Sequence, residues 1–138
     1  MDNVLKKLKA LIVDDVSSAR KSTAAILRQL GLVNIVEARS SMEALDKLTT
    51  DTFHIIISDW DMPDMHGLEL CKKVRETEQY KNTPFIMVTA ASAREKVIEA
   101  LSAGVSDYAI KPISLSVLAD KIKNAFGSEK SKTISANT

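Results

Sequence analysis

The chain has 138 residues, enough for one domain with one real core, and its 45% hydrophobic and 27% charged content is ordinary for a globular protein. Its 19 basic residues stand against 18 acidic ones, net +1, so no global field draws it to nucleic acid, and aromatics at 4% supply no base-stacking platform. The one cysteine, Cys71, excludes an internal disulfide, no apolar run nears the roughly 20 residues of a membrane helix, and the first residues lack a signal-peptide core, so a reducing, cytoplasmic setting is expected.

Residues 1–8 read as an N-terminal extension. Residues 9–13 read as a first strand, and 17–30 as a helix with Ala19, Thr23, Ile26 and Leu30 on its apolar face and Gly31 as its stop. Residues 35–38 are a short second strand. Ser40 and Glu43 have capping-box spacing and open a helix through Leu48. Residues 53–58 are the third strand, and 67–76 a helix that buries Leu70, Cys71 and Val74. Residues 84–88 form the fourth strand. Ser92 and Glu95 repeat the capping-box spacing before a helix that stops at Gly104. Residues 107–110 are the fifth strand. A last helix runs over 114–126 with Leu115, Leu118, Ile122 and Phe126 inward, and Gly127 after it. From 128 to 138 the composition turns polar and predicts a disordered tail.

Such alternation of strand and helix predicts an α/β domain over 9–127: a doubly wound, five-stranded parallel sheet, flavodoxin-like, in the order 2-1-3-4-5. Strands one and three are then neighbours, and their carboxyl ends meet at the switch point where ligands bind. Asp14-Asp15 end the first strand and Asp59 the third, so these acids converge. Read alone, Asp14-Asp15 serve equally as a cap for the following helix or as metal ligands. An acid ending a buried strand, however, is costly unless it is paired or metal-bound. Three acids in one crevice invite a hard divalent cation, and Mg²⁺ suits a site that also leaves room for a phosphate oxygen.

Lys111 ends the fifth strand and supplies a cation. Pro112 restricts it to extended geometry, which aims the side chain across the sheet edge toward a phosphoryl oxygen or the acids. Thr89, followed by Ala90 and Ala91, ends the fourth strand with a hydroxyl and little bulk. Tyr108 has the amphipathic ring of a residue able to sit buried or exposed. His54 and His66 lie outside any ligand spacing, and Cys71 reads as core.

Together Asp14-Asp15, Asp59, Thr89, Tyr108 and Lys111-Pro112, with the run from Ser58 to Leu70, resemble the receiver domain of bacterial response regulators, in particular the single-domain CheY-like type. The likeness spans residues 9 to about 126. It implies a two-component phosphorylation switch that catalyses only its own phosphorylation and dephosphorylation. Asp59 is then the phosphoacceptor for a histidine kinase. Asp15, Asp59 and the backbone carbonyl of Asp61 hold Mg²⁺, assisted by Asp14, while Thr89 and Lys111 bind phosphoryl oxygens. Thr89 and Tyr108 form the switch, and Arg94, Val97, Tyr108 and Lys121 belong to the partner face. The resemblance also implies a monomer that binds a downstream target, chiefly in chemotaxis at the flagellar motor switch, and neither nucleic acid nor membrane.

The chain departs from the CheY pattern at several points. Asp61 stands where Asn is common, Ala91 where an acid is common, and Ile113 where an aromatic is common. Val105 and Asp107 stand where smaller residues are common. A stand-alone relay or adaptor outside chemotaxis fits the same residues. Asp59-Trp60-Asp61 also looks like the Asp-x-Asp of haloacid-dehalogenase-type phosphatases, but that motif belongs on a first strand and here it ends the third.

Overall fold

In the computed structural model, which describes the backbone of residues 2–90 and 94–137 and the side chains of 5–90 and 98–126, the three most apolar runs form the inner strands. These are β1 (Lys9–Val13), β3 (Ile55–Asp59) and β4 (Phe85–Thr89), buried along their length save for Lys9. Strands covered on both faces need continuous apolar sequence rather than alternation. The more polar β2 (Asn34–Ala38) and β5 (Asp107–Ile110) take the edges, where part of each strand meets solvent. The sheet order is β2-β1-β3-β4-β5 and every pairing is parallel, the expected doubly wound arrangement.

Side chains alternate across the sheet and build two cores. On one face Leu11, Val13, Ile56, Phe85 and Met87 pack with α3 (Ser41–Thr50), α4 (Gly67–Glu76) and α5 (Arg94–Ser102) through Leu48, Leu70, Val74 and Ala100. On the other, Ala10, Ile12, Ile57 and Val88 pack with α2 (Ser17–Leu30) and α6 (Leu115–Asn137) through Leu27, Leu118 and Ile122. Each such fully buried aliphatic side chain contributes about 1.5–3 kcal/mol. A short helix α1 (Asp2–Lys7) precedes the sheet and a 3-10 turn (Glu78–Tyr80) follows α4; neither is foreseen in the sequence.

Three expectations are corrected. The buried stripe of α2 is Arg20, Thr23, Ala24 and Leu27, with Ala19, Ile26 and Leu30 only half-buried. The stripe shifts because Arg20 turns inward to polar partners described below. Leu115 is 43% exposed, because α6 beds on the sheet from its second turn, at Leu118. Gly127, read as following the last helix, does not end it: α6 continues to Asn137. A glycine inside a helix costs about 1 kcal/mol relative to alanine and does not forbid continuation. The second capping box, Ser92 to Glu95, lies outside the described residues.

Local signals place the other boundaries. Gly31 closes α2 at φ 113°, and its N–H and that of Leu32 bond back to Arg28 and Leu27. Ser40 caps α3 by accepting from the Glu43 N–H at 3.1 Å. Gly67 opens α4 where no side chain fits: an added Cβ would lie 2.2 Å from the Asp59 carbonyl oxygen and 3.0 Å from Met87 Sδ. Gly67→Ala is therefore expected to cost about 1–3 kcal/mol by overpacking, read as a lower urea midpoint. An unchanged midpoint would mean that the chain around Asp59 moves aside freely.

Candidate functional site

The site follows from where the apolar runs end. Val13 pairs with Ser58 across β1 and β3, so Asp14 and Asp59 leave adjacent strands at the same level. Carboxylate oxygens of Asp14, Asp15 and Asp59 lie within 4.8 Å of one another. Asp14 and Asp59 are buried and Asp15 is exposed at the mouth. Asp14 does not cap α2. The cap position is Val16, without a side-chain bond, and Asp14 Oδ1 accepts from the Val16 N–H at 2.9 Å. The cap alternative for this pair therefore falls away.

Lys111 reaches over from the end of β5, just before a cis peptide bond to Pro112. Its Nζ lies 3.0 Å from Asp14 Oδ2 and 3.3 Å from Asp59 Oδ1. The Trp60 N–H donates to the same Asp59 oxygen at 2.9 Å. Burial and then the neighbouring Asp14 charge push the Asp59 carboxyl above its ordinary value of 3.8, against the pull of Lys111 and the Trp60 N–H. Burial acts to lower the Lys111 ammonium, but hydrogen bonds and charge from Asp14 and Asp59 together outweigh it and raise it.

Thr89 ends β4, buried, and its carbonyl accepts from the Lys111 N–H at 2.8 Å. Tyr108 lies on β5, half-buried against the first core. Lys121 Nζ sits 5.4 Å from the centre of its ring and 3.2 Å from Asp107 Oδ1. Asp61 is exposed, and its carboxylate is not among the clustered ones. Arg94 and Val97 fall on α5, with side chains outside the described residues.

Two supports are absent from the sequence reading. Arg20 Nη1 donates to the Asp14 backbone carbonyl at 2.8 Å and Nε to Glu37 Oε1 at 3.1 Å, which fixes the turn carrying Asp14-Asp15. Its place at the head of the i, i+3, i+4, i+7 stripe Arg20-Thr23-Ala24-Leu27 was the available signal of an inward charge. The loop after Asp59 is tied to α3 through Ser41 and Asp64, contacts between segments 23 residues apart that leave no local pattern.

Three carboxylates against one ammonium leave an excess of negative charge. Two like charges about 5 Å apart repel by roughly 3 kcal/mol at an effective dielectric of 20. The donors are all carboxylate oxygens, which suits a hard cation such as Mg²⁺ and not a soft one. His54 is committed elsewhere, its Nδ1 accepting from the Lys9 N–H.

The raised Asp59 pKa has a consequence for stability. Between 3.8 and the folded value, the folded protein holds a proton that the unfolded chain has released, so stability falls as pH rises through that window. Asp59→Asn is thus expected to raise the melting temperature of the metal-free protein by a few degrees at pH 7. The gap should close as pH falls below the folded pKa. Calorimetric scans in EDTA across pH check this, and a variant less stable than wild type at pH 7 would show that Lys111 already overcompensates the acids.

Comparison with known proteins agrees with this geometry. Residues 10–123 match the response regulator receiver domain. The chain is 42% identical over 119 residues to a chemotaxis protein CheY of Pseudomonas aeruginosa, covering 86% of this chain and 96% of that one. It is 40% identical over 127 residues to chemotaxis protein CheY-3 of Vibrio cholerae, covering 91% and 98%. Among solved structures, the chemotaxis response regulator CheY4 of Vibrio cholerae superposes with a TM-score of 0.80 at 35% identity, covering 86% and 98%. A putative response regulator from Chloroflexus aurantiacus gives 0.82 at 31%, covering 87% and 98%. The chain belongs to the response regulator receiver domain family.

Proposed function

We propose that the chain is a phosphorylation-activated switch of the CheY type, acting in chemotaxis. The observation that carries the reading is the placement of Asp59, buried at the end of a central strand between the acids Asp14 and Asp15 and the ammonium of Lys111. The family and the names of the relatives at 40% and 42% identity support the chemotaxis role.

In this reading an Asp59 carboxylate oxygen attacks the phosphorus of a phosphohistidine on a histidine kinase. The phosphorus–nitrogen bond breaks, and the leaving imidazole takes up a proton. Asp15, Asp59 and the backbone carbonyl of Asp61 would hold Mg²⁺, assisted by Asp14. The bound ion supplies charge neutralisation for the phosphoryl oxygens, the main requirement of this chemistry. Lys111, now paired with Asp14 and Asp59, turns its ammonium to pair with a phosphoryl oxygen, and the Thr89 hydroxyl donates to another. Because Thr89 and Tyr108 lie on paired strands, a shift of Thr89 alters the space open to the Tyr108 ring. The face made by Arg94, Val97, Tyr108 and Lys121 then presents a changed surface to a downstream target such as the flagellar motor switch. Among the described residues no helix is long and apolar enough to cross a membrane. The third-strand position of Asp59-Trp60-Asp61 and the family match leave the phosphatase alternative without support.

Asp59→Asn is expected to abolish labelling by acetyl phosphate in the presence of Mg²⁺, and full labelling of that variant would sink the assignment. Mg²⁺ alone is expected to change the fluorescence of Trp60, whose N–H bonds Asp59. At tenfold over its dissociation constant it should stabilise the fold by about 1.4 kcal/mol. A flat titration in both fluorescence and melting temperature would argue against a metal site.

A further inference from the structure

We propose that Asp64 is a positioning residue for the metal and phosphoryl site, acting with Ser41 as a clamp on the loop that leaves Asp59. The inference rests on the reading above, in which Asp15, Asp59 and the Asp61 carbonyl hold Mg²⁺, assisted by Asp14. Residues 60–66 join β3 to α4, and Asp61 is the second residue of that loop. Its two ends are fixed by backbone: Trp60 N–H donates to the Val88 carbonyl at 3.1 Å, and Gly67 N–H to the Trp60 carbonyl at 2.8 Å. Between those ends the loop is held from the side by the start of α3.

Asp64 Oδ2 accepts from the Met42 N–H at 2.8 Å, and Oδ1 from the Ser41 N–H at 3.3 Å. Ser41, fully buried, donates its hydroxyl to the Met65 carbonyl at 2.8 Å. Met62, also buried, brings its sulfur to 3.8 Å from the same hydroxyl. The grip therefore runs both ways, with the loop's carboxylate on the helix amides and the helix's hydroxyl on the loop's carbonyl. Ser40 takes the Glu43 N–H, and the Ala44 N–H begins the intrahelical ladder on the Ser40 carbonyl. Every N–H of the first turn of α3 is thus occupied, two of them by Asp64. An ionised acceptor at a helix N-terminus forms strong, directed bonds.

Asp61 lies two residues after Asp59 and three before Asp64, so its carbonyl is bracketed by two fixed points. Mg²⁺ demands near-ideal octahedral geometry, and small displacements of one ligand are felt in affinity. Partners that orient ligands typically carry a 10–100-fold share of metal affinity. A bare capping role predicts something else: loss of Asp64 would destabilise α3 and leave the metal site as it was.

The test compares Asp64→Ala, Asp64→Asn, Ser41→Ala and, as a control, Leu48→Ala, which removes a buried side chain from the far half of α3. Mg²⁺ affinity is measured by Trp60 fluorescence at a temperature where each variant is folded, and hydrogen exchange of residues 60–66 is measured without metal. Asp64→Ala is expected to weaken Mg²⁺ binding about tenfold and speed exchange in the loop. Ser41→Ala should act in the same direction. Asp64→Asn, which keeps one acceptor oxygen, should restore part of the affinity. Leu48→Ala should lower the melting temperature and leave Mg²⁺ affinity within about twofold of wild type. Wild-type affinity in both Asp64→Ala and Ser41→Ala would overturn the inference. Equal weakening in Leu48→Ala would do the same, by assigning the effect to general loosening of α3. Absence of Mg²⁺ binding by the wild-type chain would instead overturn the reading of the site on which the inference stands.

Discussion

Like charges held together at a buried edge are the constraint on which the rest of this structure depends. Asp14 and Asp59 sit at the ends of neighbouring inner strands with Asp15 beside them, and Lys111 is the cation that meets both buried members. The raised pKa of Asp59 shows that Lys111 does not cancel the cost of burial and of the Asp14 charge. That residual imbalance leaves a cluster of hard oxygen donors that could hold a divalent cation. A fully neutralised cluster would be more stable on its own and would have less to gain from metal.

The scaffold supplies the energy that keeps this arrangement closed. A repulsion of roughly 3 kcal/mol per acid pair is offset by one or two buried aliphatic side chains at about 1.5–3 kcal/mol each. The inner strands contribute many, among them Leu11, Ile12, Ile55, Ile56, Ile57 and Ile86. The parallel register sets where the run ends fall: Val13 pairs with Ser58, which puts Asp14 and Asp59 level, while Asp59 pairs with Val88 and Thr89 with Ile110, so Thr89 and Lys111 lie one and two residues further along. Support from the side comes from polar contacts: Arg20 on the Asp14 carbonyl, Asp64 and Ser41 on the loop after Asp59, and the missing side chain of Gly67 beneath the Asp59 carbonyl.

Most of the fold and the clustered residues were legible in the sequence because both are written locally. The continuous runs Ala10–Val13 and Ile55–Ile57 announce doubly covered strands, and the acid that ends each run announces its place at the sheet edge. What was not legible depends on distant partners. The α2 stripe was misplaced by about one residue because an inward Arg20 looks like a solvent residue until Glu37 and the Asp14 carbonyl are known to face it. Asp14 read equally well as a cap, since an acid before a helix has the same local pattern whether it turns to the helix or to Lys111. Leu115 has the spacing of a core residue and lies where α6 has not yet met the sheet. Gly127 has the look of a helix stop and does not act as one. Asp64 is one more acid in an acid-rich loop until α3 is placed beside it.

The most direct test of the account is chemical mapping of the acyl phosphate. The protein is incubated with acetyl phosphate and Mg²⁺, reduced with borohydride, which converts a phosphorylated aspartate to homoserine, and then digested and sequenced by mass spectrometry. The account predicts homoserine at position 59 alone, and none when Mg²⁺ is removed. Conversion at Asp14, Asp15 or Asp61, or undiminished conversion without metal, would contradict the claim that the crowded carboxylates form one metal-dependent phosphoacceptor site centred on Asp59.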